Sequence, residues 1–150
     1  MCGIFAFLKN NSEIIDEKLK VCGLKCLHRG PDSTKDITYE INNYKLYLMF
    51  HRLAINGLTE LGDQPLTLNN KVLICNGEIY NYKKLTEQYD LDLPEGCSDC
   101  EVILHLYQKV GIHDTISNLD GVFSFVLFDF NNNKLFVGHD PIGVRSLYYF

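Results

Sequence analysis

The chain has 150 residues, 46% hydrophobic and 22% charged, with a formal charge of −5. That length can bury a substantial core and predicts one domain. The composition supplies no basic patch for nucleic acid, no apolar run long enough to cross a membrane, and no basic-then-apolar secretory signal, so the expectation is a cytoplasmic protein whose six cysteines are reduced.

In chain order, residues 3–8 are short, continuous and apolar, which predicts a buried strand. Ser12 can cap a helix running to residue 27, with Ile15, Leu19, Cys22 and Cys26 on one face. His28-Arg29-Gly30-Pro31-Asp32 reads as a loop. Strands follow over 36–41 and 44–50, joined at Asn42-Asn43, which tolerates the left-handed conformation of a tight hairpin. A second hairpin joins 66–68 to 72–75 through Asn69-Asn70, and its second strand is expected to stop at Asn76-Gly77-Glu78. Helices are predicted over 81–89, over 99–110 behind a Ser98 cap, and over 113–119. An apolar hairpin spans 122–130 and 134–139, and residues 147–150 read as a last strand. Hairpins with separate helices indicate an α+β fold.

Several residues could carry chemistry. Cys2 follows the initiator methionine, and removal of Met1 would put a thiol and an α-amino group on one residue. Such an amine titrates near pH ~7.7–8, where a general base is useful to a thiol nucleophile. Read singly, Cys2 is an ordinary buried cysteine opening a strand. Asn76 and Gly77 end an apolar strand, and an amide side chain with a glycine N–H suits an oxyanion hole; a plain turn is the other reading. Arg52, among Leu53 and Ile55, offers a guanidinium fork to a carboxylate or is a surface arginine. Asp99 complements a helix start. Cys97-x-x-Cys100 with Cys22 and Cys26 could supply four zinc ligands, and a redox CxxC is a further option, but four-residue spacing inside a helix is a poor zinc knuckle and no apolar strand feeds the CxxC. No metal site is expected.

Taken together, Met1-Cys-Gly-Ile-Phe5, His28-Arg-Gly-Pro-Asp32, Arg52-Leu-Ala-Ile55, Asp63-Gln-Pro-Leu66, Asn76-Gly-Glu-Ile-Tyr-Asn81, Ser98-Asp-Cys-Glu-Val-Ile103 and Asp120-Gly-Val-Phe123 resemble class II glutamine amidotransferases, in order and across the whole chain. The resemblance is closest to the glutaminase domain of glutamine-dependent asparagine synthetases. It implies the N-terminal nucleophile hydrolase fold, an αββα sandwich of two mostly antiparallel sheets.

The resemblance also implies roles. Cys2 would attack the side-chain amide of L-glutamine, and Asn76 with Gly77 would hold the oxyanion. Arg52 would bind the α-carboxylate, residues Leu53, Ala54, Ile55 and Asn56 would line the pocket, and Glu78 and Asp99 would take the α-ammonium. No cofactor is implied in this domain. ATP and Mg are implied for a synthetase domain, in cis or in trans, that would take the ammonia to aspartate; no Ser-Gly-Gly-x-Asp-Ser loop occurs here, so the chain is expected to be an excised or stand-alone glutaminase. His139 and Ser146 depart from the family's usual arginine and proline. A glutaminase for a phosphoribosyl or hexosamine-phosphate acceptor, and a non-catalytic partner-binding module, are the alternatives; a homo-oligomer is compatible with any of them.

Overall fold

The structure, a computed structural model, describes residues 1–10, 16–41, 43–55 and 60–149. One antiparallel sheet has the order β1 (Gly3–Asn10), β3 (Tyr44–Arg52), β2 (Ser33–Ile41). A second has the order β4 (Leu66–Thr67), β5 (Lys71–Ile79), β6 (Gly121–Asp129), β7 (Lys134–His139), again antiparallel. The helices are α1 (Asp16–Leu24), α2 (Tyr82–Gln88) and α3 (Val102–Asn118).

Strand side chains alternate between faces, so each sheet sorts its apolar residues into two sets. Leu46, Leu48 and Phe50 of β3 meet Val72, Ile74, Val126 and Phe128 of β5 and β6, with Ile4 and Leu8 of β1 beside them. This cluster is the layer between the sheets. The alternate residues of β3, Tyr47 and Met49, pack on Leu19 of α1 with Phe5 and Phe7. The alternate residues of β5 and β6, including Leu73, Cys75, Phe123, Phe125 and Leu127, pack on Leu85 of α2 and on Val102, Ile103, Leu104 and Leu106 of α3. Three apolar seams thus join four layers: helix, sheet, sheet, helices. Each fully buried side chain of this size contributes roughly 1.5–3 kcal/mol. The αββα sandwich expected from the sequence is the observed architecture, and the fold class is α+β.

Local details differ in instructive ways. Asn69 and Asn70 adopt φ of 45° and 58°, the left-handed pair a two-residue hairpin turn needs. The first helix covers 16–24 and is followed by a 3₁₀ turn at Leu27–Arg29; the proposed Ser12 cap and Ile15 lie outside the described residues, as does Asn42. The helices expected over 99–110 and 113–119 are the two parts of α3, preceded by a 3₁₀ turn at Asp99–Glu101 and separated at Gly111, whose backbone leaves the helical region with φ of 79°. Residues 147–149 form no strand; Tyr148 and Tyr149 are exposed. Apolar alternation gives a strand only where a ladder partner exists.

The largest correction concerns β5. It does not stop at Asn76 but runs on to Ile79, with Asn76 opposite Ser124 and Gly77 opposite Phe123. Glycine reads as a breaker in isolation. Here a Cβ on residue 77 would lie 2.3 Å from the Val122 carbonyl oxygen and 2.5 Å from Phe123 Cα, so the close strand approach requires glycine.

After β7 the chain folds back around Asp140, which is 2% exposed. Its carboxylate accepts N–H bonds from Ile142, Val144, Arg145 and Phe123 at 3.0–3.2 Å. Burial pushes its pKa upward, but these amides outweigh burial and hold it at about 2. A carboxylate depressed in the fold contributes stability above its unfolded pKa of ~3.9, and that contribution is lost as pH falls through about 2. Asp140→Ala is therefore expected to cost on the order of 2–3 kcal/mol at neutral pH, from the loss of charge-assisted bonds. Urea unfolding should show the gap between wild type and variant closing below about pH 4.

Candidate active site

The layer between the sheets is apolar along most of its length and changes character at one end. On β3 the inward positions Leu46, Leu48 and Phe50 are followed, two residues on, by Arg52. On β5, Val72 and Ile74 are followed by Asn76. On β1, Leu8 and Ile4 lead back to Cys2, which packs against the same cluster. The period of two therefore delivers a thiol, a guanidinium and an amide to one open end of the core. They line a single cleft, together with Leu53, Ile55, Gly77, Glu78, Asp99 and Met1. Ala54 is half-exposed and not part of this lining, and Asn56 lies outside the described residues.

Backbone direction is as informative as side chains. The Phe123 N–H donates to Asp140 Oδ2 and its carbonyl accepts from the Asp140 N–H, so both Phe123 groups point away from β5. In an antiparallel ladder the opposite residue does the same, which turns the Gly77 N–H and carbonyl away from β6. Every second residue of β5 shares that outward edge. Leu73 pairs there with Leu66 of β4. Cys75 is bracketed by Gln64, whose Oε1 accepts from the Cys75 N–H at 2.6 Å while Nε2 donates to the Cys75 carbonyl at 3.1 Å. The Ile79 N–H donates to Asp99 Oδ2 at 2.6 Å. Gly77 lies between these positions and lines the cleft, its carbonyl accepting from Cys100 Sγ at 3.7 Å and its N–H on the same outward edge.

Cys2 sits half-buried against the strand end. The Leu53 N–H donates to Cys2 Sγ at 3.4 Å, and Sγ lies 3.6 Å from the Leu53 carbonyl. Burial pushes the thiol pKa up, opposed by the Leu53 bond, the terminal ammonium and Arg52. Arg29 Nε donates to the Cys2 carbonyl at 3.2 Å, and the Met1 thioether lies against Arg29 and Arg145. The loop before β2 supports this arrangement. Asp32 accepts from the Ala54 N–H at 2.8 Å, and its own N–H donates to the Arg52 carbonyl at 3.0 Å. Gly30 fits because a Cβ there would meet the His51 carbonyl oxygen at 2.2 Å. His51 is fully buried; Nε2 donates to the Gly23 carbonyl at 2.9 Å, which leaves Nδ1 as acceptor for Thr34 Oγ1 at 2.8 Å.

Arg52 is 7% exposed, and its Nη1 meets Asp63 Oδ1 at 2.7 Å. Asp63, Gln64, Cys75, Cys100 and Arg145 are the participants that sequence reasoning missed. The first two stand in the Asp63-Gln-Pro-Leu66 motif, to which the sequence attaches no role, and the two cysteines likewise carry none at this site. Cys100, hydrogen-bonded with Cys75 and fully buried, has its thiol held well above the usual range. Cys97 is pushed up to about 11 by burial and the Glu101 carboxylate. Raised thiols are the opposite of a reactive redox pair. Cys22 lies on α1, outside the first sheet, whereas Cys97 and Cys100 flank the second, so the four do not converge. Among the described residues no group of three or more His, Cys, Asp or Glu side chains is arranged to hold a metal, and no helix is long and apolar enough to cross a membrane.

This cleft and fold can be set beside known proteins. A family model described as a glutamine amidotransferase domain matches residues 1–150. A probable glutamine-hydrolysing asparagine synthetase of Acanthamoeba polyphaga mimivirus is 42% identical over 99% of this chain and 27% of its own length. The glutamine-hydrolysing asparagine synthetase of Homo sapiens is 40% identical over 99% of the chain and 26% of its own length. A putative asparagine synthetase of Methanocaldococcus jannaschii is 34% identical over 100% and 32%. The chain thus spans between a quarter and a third of these relatives. On a match that runs its full length, this chain belongs to the glutamine amidotransferase domain family.

Proposed function

We propose that this domain hydrolyses L-glutamine to glutamate and ammonia, with Cys2 as nucleophile after removal of Met1. The observation that carries this reading is the convergence of Cys2, Arg52, Asn76, Gly77 and Asp99 on one cleft at the end of the inter-sheet core. Cys2 Sγ forms a bond to the side-chain carbonyl carbon of glutamine, and its proton passes to the Cys2 α-amine. The amide oxygen becomes an oxyanion facing the Asn76 side chain and the Gly77 N–H. As the intermediate collapses the C–N bond breaks, the amine returns its proton, and ammonia leaves. Water then cleaves the glutamyl thioester and regenerates the thiol. Arg52 binds the α-carboxylate, with Leu53 and Ile55 alongside, and Glu78 and Asp99 take the α-ammonium.

In this reading the domain needs no metal or cofactor of its own. Its ammonia supplies an ATP- and magnesium-dependent synthesis of asparagine from aspartate, carried out by a synthetase region in the cytoplasm. The names and greater length of the relatives support that acceptor.

The reading is tested by incubating the protein with glutamine and measuring glutamate and ammonia, which are expected in equal amounts. Arg52→Lys replaces a planar fork by a point charge, and is expected to lower kcat/KM by ~10–100-fold. An unchanged kcat/KM would move the carboxylate to another group. Glutamine binding without any turnover would overturn the hydrolase reading.

A further inference from the structure

We propose that Asp63 is a positioning residue for Arg52, fixing the guanidinium that grips the α-carboxylate of glutamine; this rests on the glutaminase reading above. Asp63 follows the 3₁₀ turn at Glu60–Gly62 and is nearly enclosed, with its side chain 10% exposed. Its two oxygens face different ways. Oδ1 accepts from Arg52 Nη1 at 2.7 Å. Oδ2 meets Lys35 Nζ at 3.0 Å and accepts from Ser33 Oγ at 3.5 Å.

Ser33 and Lys35 belong to β2, where they stand opposite Arg52 and Phe50 of β3. Asp63 is therefore tied to the rigid sheet through one oxygen and to the guanidinium through the other. Burial pushes its pKa up, but Lys35 and Arg52 outweigh burial and hold it below the usual carboxylate range. The anchor stays charged throughout the neutral range.

An arginine side chain has many rotamers, and an orienting bond made before the ligand arrives removes part of the entropy that binding would otherwise lose. The contact to Asp63 runs through Nη1. Gln64, the next residue, does the corresponding work on the opposite wall by bracketing Cys75. The dipeptide Asp63-Gln64 thus ties both sides of the cleft to one segment.

A positioning role differs from a merely structural one in its selectivity, since it affects ligands that carry the α-carboxylate and spares those that do not. The test compares labelling of Cys2 by a glutamine-analogue diazoketone, which has the carboxylate, and by iodoacetamide, which lacks it. Labelled peptides are identified by mass spectrometry, because Cys22 is also exposed. For Asp63→Asn, which keeps shape and removes charge, diazoketone labelling is expected to slow by about 10-fold, and iodoacetamide labelling to change by less than about twofold. In turnover, KM for glutamine should rise about 10-fold with kcat within about threefold. Asp63→Glu retains the charge and should regain most of the lost rate. Equal slowing with both reagents would show a structural role and overturn the proposal, as would no slowing with either. If glutamine fails to protect Cys2 of the wild type from the diazoketone, and no turnover occurs, the glutaminase reading fails and this inference falls with it.

Discussion

Protein that keeps Met1 is expected to be inactive toward glutamine, by a factor of ~10³ or more, and Cys2→Ala to be equally so. The two losses have different causes. Alanine removes the sulfur that forms the thioester. Retained Met1 leaves the sulfur in place but turns the Cys2 nitrogen into a peptide amide, which cannot accept a proton near neutral pH. The thiol then faces the burial that pushes its pKa up without a base to relieve it. Met1 also lines the cleft, its thioether lying against Arg29 and Arg145. The measurement is glutamate release by protein made with methionine aminopeptidase inhibited, followed by removal of Met1 with the purified aminopeptidase. Activity should appear in proportion to the loss of Met1 seen by mass spectrometry. Full activity in Met1-bearing molecules would place the base elsewhere.

Asn76→Ala is expected to lower kcat by ~10²–10³-fold with a much smaller change in KM, the behaviour of an oxyanion donor that acts in the transition state. Asn76 is 6% exposed and follows Val72 and Ile74 on the inward face of β5. Its backbone is set by the ladder, where it stands opposite Ser124. Removing the amide should therefore leave the strand in register, and urea unfolding should confirm a folded variant. Asn76→Asp preserves the shape but puts a negative charge where negative charge develops, so its kcat should be at least as low. A loss confined to KM would assign Asn76 to substrate binding.

Much of this arrangement is legible in the sequence because it is local. Paired asparagines at 69–70 specify a turn through their own backbone preference. The apolar run Leu46 to Phe50 names a buried strand, but with both alternate sets apolar it does not say which face turns inward, and the direction of Arg52 comes with the fold. What is not legible depends on partners far along the chain. Gly77 reads as the end of a strand, yet the strand continues because Phe123 lies close against it, a contact 46 residues away that no local pattern reveals. Residues 147–149 have the composition of a strand and no ladder among the described residues. Asp63 and Gln64 stand in a motif without an assigned role, since nothing nearby shows that one meets Arg52 and the other brackets Cys75. The roles of Arg52 and Asp99 came from a family pattern; the distances that let each be argued singly came with the fold.

The position of Met1 has a practical consequence for anyone handling this protein. The first residue is half-exposed at the rim of the cleft, its thioether lying against Arg29 and Arg145. An affinity tag fused at that end, or the one or two residues a protease leaves after cutting it off, would keep the Cys2 nitrogen in a peptide bond and add bulk beside the cleft. On the glutaminase reading, such a preparation is expected to release no glutamate from glutamine, whatever its fold.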